Sequence, residues 1–279
     1  MGILKKLFVR NKTTRDFEFH AGKRPENLLH EEEWDFYFSN VDNIIGSFFI
    51  DLGLSAIAPV SEKPNLAWVS LKMNNPREDG LSSNGEFDIL SEIEDKLKEV
   101  MTVKHDSLYA GRLTTNGSRD FYFYMGDTSL YDKTISDFIV AHPLYSFDYG
   151  IKEDKDWKSY LEFMYPNPRQ FQRMLNRRVV NNLEENGDNL SKAREVIHWI
   201  YFKTENDRNI YISKINSLNF TILSKNEKLS DGDFPYKLQI SRIDLVDLDT
   251  VDEYTLNLWE LANECNGDYD GWETSVEKE

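Results

Sequence analysis

Apolar and polar positions alternate with period two near the start of the chain. Trp34, Phe36 and Phe38 fall on one side of Trp34–Ser39, with Asp35, Tyr37 and Ser39 on the other, which is a strand pattern. Ile44–Leu54 and Leu66–Met73 read as further strands. The period then changes: Phe87, Leu90, Ile93, Leu97 and Val100 recur at three and four residues, behind Ser83 and Glu86 at capping-box spacing. Glu92–Lys96 and Glu94–Lys98 support that helix on its wet face. Two strands, 107–115 and 119–125, flank Asn116–Gly117–Ser118, a hairpin signal. A second helix is expected over 129–141, with Tyr131, Ile135, Phe138 and Ile139 inward, followed by strands at 145–152 and 159–164. The pattern predicts an α+β domain over 31–166, an antiparallel sheet with two helices, after a polar, mildly basic lead-in at 1–30.

Asn167–Pro168 opens a longer helix with cap and proline in favoured places. Phe171, Leu175, Val179 and Leu183 face one way, and Gly187 is its stop, so 167–186 reads as a linking helix. Over 187–279 the order is strand 195–202, helix 205–217, strand 220–224, strand 236–243, helix 250–265 and strand 269–276. This βαββαβ order predicts a ferredoxin-like domain with an antiparallel sheet and two helices.

Composition narrows the partners. The 279 residues are 40% apolar and 29% charged, with a net charge of −16, a globular balance. Residues 181–279 carry −11, and Asp244–Glu279 alone holds twelve acids against the single base Lys278. Such a chain is poorly suited to gripping phosphate backbones and suited to a basic protein partner. The one cysteine, Cys265, excludes an internal disulfide and fits the reducing cytosol. No stretch approaches the roughly 18 apolar residues that span a bilayer, and no membrane partner is expected.

Candidate chemistry is sparse. The histidines at 20, 30, 105, 142 and 198 share no zinc-ligand spacing, and no phosphate-cradling glycine loop occurs, so no metal, cofactor or catalytic residue is assigned. His198 shares a strand face with Val196, Ile200 and Phe202, which favours a core histidine over a catalytic base. Cys265 lies on the apolar stripe of its helix and reads as a small buried hydrophobe. Arg169, Arg173 and Arg177 repeat at i,i+4, a pattern open to RNA contact on one side and to ion pairing with the acidic last segment or plain solvation on the other; the absence of interleaved aromatics favours the latter two. Glu260, Glu264, Asp268 and Asp270 lie toward the negative end of the last helix and beyond it, where acids gain nothing locally. They are therefore candidate partner-binding residues, together with Trp272, which after Gly271 also fits a core position.

LEENGD at Leu183–Asp188, His198–Trp199 in the first strand and YDGWET at Tyr269–Thr274 carry a resemblance of 183–279 to the bacterial regulators of ribonuclease E activity of the B type. Residues 31–166, with Trp157, Tyr165 and Pro166 near their end, resemble a domain of unknown function often fused ahead of that module. Two departures stand out: an acid and two histidines are common where this chain has Ile197, His198 and Trp199, and little follows Val276 where those regulators carry an acidic tail. The resemblance implies a bacterial, cytoplasmic, non-enzymatic protein that docks an acidic surface on a basic protein, a ribonuclease of the E type among the candidates. The alternatives are an acidic adaptor or antitoxin-like protein for another partner, and an enzyme with its site between the domains.

Overall fold

The computed structural model of the chain describes residues 6–8, 30–226 and 232–278. They form two compact units, one running to Pro166 and the other spanning Asn167–Glu279 together with the strand β1 (Lys6–Phe8). The rest of the expected lead-in, apart from His30, lies outside the described residues.

The first unit is an antiparallel sheet of β2 (Trp34–Val41), β3 (Ile44–Asp51), β4 (Asn65–Lys72), β5 (Leu108–Thr115), β6 (Ser118–Met125) and β7 (Ser146–Glu153), in the order β2-β3-β5-β6-β4-β7. Asn116 and Gly117, at φ 48° and 76°, make the two-residue turn between β5 and β6, the backbone that Asn-Gly favours. Helices α1 (Asn84–His105) and α2 (Tyr131–Ala141) bury Leu90, Ile93, Leu97, Met101, Tyr131, Ile135 and Phe138 against Val69, Leu71, Phe121 and Phe123.

Four expectations are corrected here. Phe87 is exposed, because the stripe through Leu90, Ile93 and Leu97 meets Glu86 in the first turn and Met101 in the last. Ser83 is the N-cap residue, but its hydroxyl makes no capping bond and accepts from Asn75 Nδ2 at 3.3 Å. The Glu86 carboxylate instead accepts the Asn74 and Asn75 amides, each at 2.8 Å. Residues 159–164 form a π-helical turn instead of a strand. Asp154 causes the turn: its carboxylate accepts the Lys158 and Ser159 amides at 2.9 Å, while Trp157 stacks on Tyr124 at 3.8 Å. Glu94, expected on the wet face with Lys98, is instead a second buried acid of α1, held by both carboxylate oxygens to Arg112 at 2.6 Å and by the Tyr109 hydroxyl at 2.8 Å.

The second unit contains α3 (Pro168–Glu185), β8 (Arg194–Phe202), α4 (Glu205–Ile215), β9 (Thr221–Asn226), β10 (Tyr236–Asp244), α5 (Leu248–Glu264) and β11 (Gly267–Ser275). The sheet order is β1-β11-β8-β10-β9, antiparallel throughout. The four strands of the βαββαβ run thus lie fourth, first, third, second. Asn167 caps α3 in a reciprocal box with Gln170. That helix, expected as a link, is a layer of this unit: Val179, Val180 and Leu183 pack with Val196, Val251 and Trp272. Tyr211, Ile215, Leu258, Ala262 and Cys265 form the neighbouring core over Ile200, Phe202, Leu238 and Ile240.

Candidate functional site

The motif strand β11 owes its geometry to a bulge. Tyr269 stands opposite Ile200 and Trp272 opposite His198, with the register shifting between Tyr269 and Gly271. Without the extra residue, positions three apart would face opposite sides of the sheet. With it, Tyr269 and Trp272 both enter the helix-covered core, and Gly271 supplies the φ of 128°. Asp270 is the residue at the shift, and its side chain is buried.

Both aromatics are tethered. Tyr269 and His198 share a hydrogen bond of 2.8 Å between the hydroxyl and Nδ1. His198 is fully buried, edge-on to Phe220 and Tyr254. Burial, aided by the nearby Arg242 guanidinium, pushes its pKa down to about 3, so the ring is neutral at physiological pH and does no proton transfer to solvent. Trp272 Nε1 donates to Asn176 Oδ1 at 3.1 Å, and Asn176 Nδ2 donates to Asp252 Oδ1 at 2.8 Å and Thr255 Oγ1 at 2.7 Å. Asp252 is in turn paired with Arg173 at 3.0 Å. Its carboxyl pKa is raised by burial, against the Asn176 and Arg173 contacts that lower it.

The LEENGD segment has a comparable structural logic. Leu183 is buried in the core, and Gly187 takes the left-handed φ of 76° just past α3. Asp188 grips the buried Arg194 through both oxygens, at 2.5 and 2.7 Å, and also accepts the Glu277 amide at 2.7 Å. Arg194 further donates to the carbonyls of Asn189 and Ser275 at 2.8 and 3.1 Å. The motif thus ties the end of α3 to the start of β8 and the end of β11, which lie side by side.

The acidic candidates separate into two groups. Asp268 and Asp270 are buried, which corrects their expected place on an exposed docking face, and Trp272 occupies the core position that its place after Gly271 also fitted. Glu260 and Glu264 are exposed but already compensated: Glu260 pairs with Arg169, and Glu264 with Lys214 at 2.6 Å. The arginine repeat accordingly follows the ion-pair reading at Arg169 and Arg173, while Arg177 lies half-buried on α3. Asp249 and Glu253 are further exposed acids of α5. Beside them a cavity of about 290 Å³ is lined by Phe220, Arg242, Asp244, Glu253, Tyr254 and Asn257. Arg242 is pinned there, with Nε on Asp244 at 2.8 Å and the guanidinium 4.4 Å above Phe220.

The sequence reading missed Asn176, Asp188 and Arg194. Only the Asp188 position carried a signal, as part of LEENGD. Among the described residues no group of three His, Cys, Asp or Glu side chains is placed to hold a metal ion, and no helix is long and apolar enough to cross a membrane.

Residues 173–274 match the family model described as Regulator of ribonuclease activity B, and residues 32–165 match that of a family of unknown function. No curated protein matches the chain. Among solved structures, the crystal structure of an unknown protein from Galdieria sulphuraria aligns over 77% of this chain and 99% of its own, at 11% identity and a TM-score of 0.20.

Proposed function

We propose that the chain is a non-enzymatic cytoplasmic regulator that binds a ribonuclease of the E type, a reading supported by the match of residues 173–274 to the model described as Regulator of ribonuclease activity B, behind a match to a family of unknown function. The family match over residues 173–274 carries the reading. The charge of −11 over residues 181–279 favours a basic segment as the surface it meets. Asp249 and Glu253 are the acids best placed for it, being exposed on the outer side of α5. The motif residues Tyr269, Trp272 and Asp188 serve this role indirectly, by fixing β11 and α3 around the core beneath α5.

The test is binding of the purified full chain to purified ribonuclease E, by interferometry at low salt and at roughly 0.5 M salt, where exposed charges are screened, with cleavage of a short RNA as second readout. Salt-sensitive binding that slows cleavage supports the reading. Absence of binding at low salt rejects it.

A further inference from the structure

The cavity of about 290 Å³ lies between the start of β9, the end of β10 and the first half of α5, all within the C-terminal unit. Tyr254 and Leu258 are buried and supply its apolar lining, with Phe220 half-buried beside them. Glu253 and Asn257 stand exposed, one turn apart on the same face of α5. The volume sits at the lower end of the roughly 300–1,000 Å³ found for small-molecule sites, and an apolar lining with a few placed polar groups is their usual chemistry.

Arg242 is held there by three contacts that leave part of it unused. Its Nε donates to Asp244 at 2.8 Å, its Nη1 donates to the Leu218 carbonyl at 3.1 Å, and the guanidinium lies 4.4 Å over the Phe220 ring. Those contacts fix the plane of the fork before any ligand arrives. Nη2, with two N–H donors, makes no hydrogen bond to a described residue. Among the described residues, the Glu253 carboxylate and the Asn257 amide likewise have no side-chain partner.

The lining thus offers a donor fork and a carboxylate around an apolar surface. A lone anion meets Arg242, but also the like charges of Asp244 and Glu253, which repel it. A lone cation meets Glu253 and stands against Arg242. It also leaves the Nη2 donors without an acceptor once water is displaced, a cost charged against binding. A molecule carrying both charges answers both groups. Its carboxylate accepts from Arg242, its ammonium donates to Glu253 and to the Asn257 side-chain carbonyl, and an apolar body covers Phe220 and Leu258.

We propose that this cavity binds a small zwitterion, an α-amino acid with an apolar side chain, with Arg242 Nη2 on its carboxylate, Glu253 on its ammonium and Phe220 against its side chain. Asp244 acts through Arg242, as the residue that positions the fork. Either end of a peptide carries only one of the two charges, so the free amino acid is distinguished from a chain terminus. The assignment concerns this chain alone and does not rest on the ribonuclease reading.

Calorimetry on the full chain tests it with L-leucine, N-acetyl-L-leucine and L-leucinamide, which carry both charges, only the carboxylate and only the ammonium. Leucine is expected to bind with a dissociation constant on the order of 1 mM or tighter, and each blocked analogue roughly tenfold more weakly. On adding leucine, backbone amide shifts of the isotope-labelled chain should gather at residues 218–220, 242–244 and 250–258. Glu253→Gln, at an exposed position, should weaken leucine roughly tenfold without weakening N-acetyl-leucine. No saturable binding of leucine, methionine or phenylalanine up to about 10 mM overturns the site. Equal binding of leucine and leucinamide, or parent-like leucine affinity in Glu253→Gln, overturns the zwitterion and leaves an apolar pocket only. Tighter binding of N-acetyl-leucine overturns it in favour of a peptide C-terminus, and shifts gathered elsewhere overturn the location. Should Glu253→Gln fail to melt cooperatively, the three ligands on the unaltered chain decide alone.

Discussion

The indole N–H of Trp272 donates to Asn176 Oδ1 at 3.1 Å, so the last strand of the C-terminal unit is fastened to a helix nearly one hundred residues earlier by one buried amide. That amide also serves Asp252 and Thr255. Removing it with Asn176→Ala takes a hydrogen bond from four polar partners, Trp272, Gln172, Asp252 and Thr255, and is expected to cost about 3 kcal/mol. Trp272→Ala deletes the packing as well and should cost about 3–5 kcal/mol. Urea unfolding of the full chain, followed through the C-terminal transition, measures both; an unshifted midpoint for either variant would contradict the network.

Asp188 and Arg194 form a buried pair, and its two halves are not equivalent to its absence. Asp188→Ala leaves a buried guanidinium without its carboxylate and should destabilise by about 3–5 kcal/mol. The double variant Asp188→Leu, Arg194→Met removes both charges and is expected to recover part of that loss. A double variant less stable than Asp188→Ala would show that the carbonyl contacts of Arg194, to Asn189 and Ser275, outweigh the ion pair.

Element order in the C-terminal unit was legible because each run carries its own period and punctuation, as at Asn167–Pro168, at Gly187 and in the stripe Val251, Tyr254, Leu258, Ala262. In the N-terminal unit Phe87 misled, since a carboxylate took the core-facing position in the first turn; hydrophobicity cannot announce a buried Glu86 whose partners are the backbone amides of Asn74 and Asn75. Residues 159–164 misled for a related reason, because the turn is made by Asp154, several residues upstream. The candidate site was legible only as motifs. That Tyr269 and Trp272 share a face depends on a bulge, and that Glu260 and Glu264 are compensated depends on Arg169 and Lys214 arriving from other helices. Both are long-range facts that local spacing does not encode.

His198 makes stability depend on acid. Its pKa falls from 6.5 to about 3 on burial. The unfolded chain therefore takes up a proton that the folded chain refuses, and the stabilising difference present above pH 6.5 is lost as pH falls toward 3. The expected slope from this residue is about 1.4 kcal/mol per pH unit within that window. Replacing it by glutamine, which retains a hydrogen-bonding group for Tyr269, should remove that component. Denaturation of both proteins at pH 7 and pH 5 should show the wild type losing about 2 kcal/mol more than His198→Gln; parallel losses would mean that the imidazole is protonated in the fold.

Truncation separates the expected boundary from the packed one. Residues 187–279 lack Asn176, Val179, Val180 and Leu183, which line the core beneath Trp272. Residues 167–279 retain them and the Asn167 cap. The longer fragment is expected to unfold cooperatively, and the shorter to lose its cooperative transition or bind a hydrophobic dye. Equal calorimetric transitions for the two would mean that α3 contributes no stability to the unit.

The exposed acids of α5 give the sharpest division between surface and partner. Glu260 and Glu264 are locally neutralised by Arg169 and Lys214, so their fields largely cancel at a distance. Asp249 and Glu253 sit near the helix start, where the dipole favours them by about 0.3–1 kcal/mol each at most. Converting Asp249 and Glu253 to lysine should lower stability only slightly. The same change reverses the sign of the field that a basic partner meets first. Association with ribonuclease E at low salt is then expected to slow roughly tenfold, with the difference shrinking as salt screens it. Glu260→Gln with Glu264→Gln, made together with Arg169→Gln and Lys214→Gln, in contrast removes fields that already cancel and should leave the on-rate within about twofold. Equal slowing by the two sets would move the docking surface along the helix, and no slowing by either would detach partner binding from the acidity of α5 altogether.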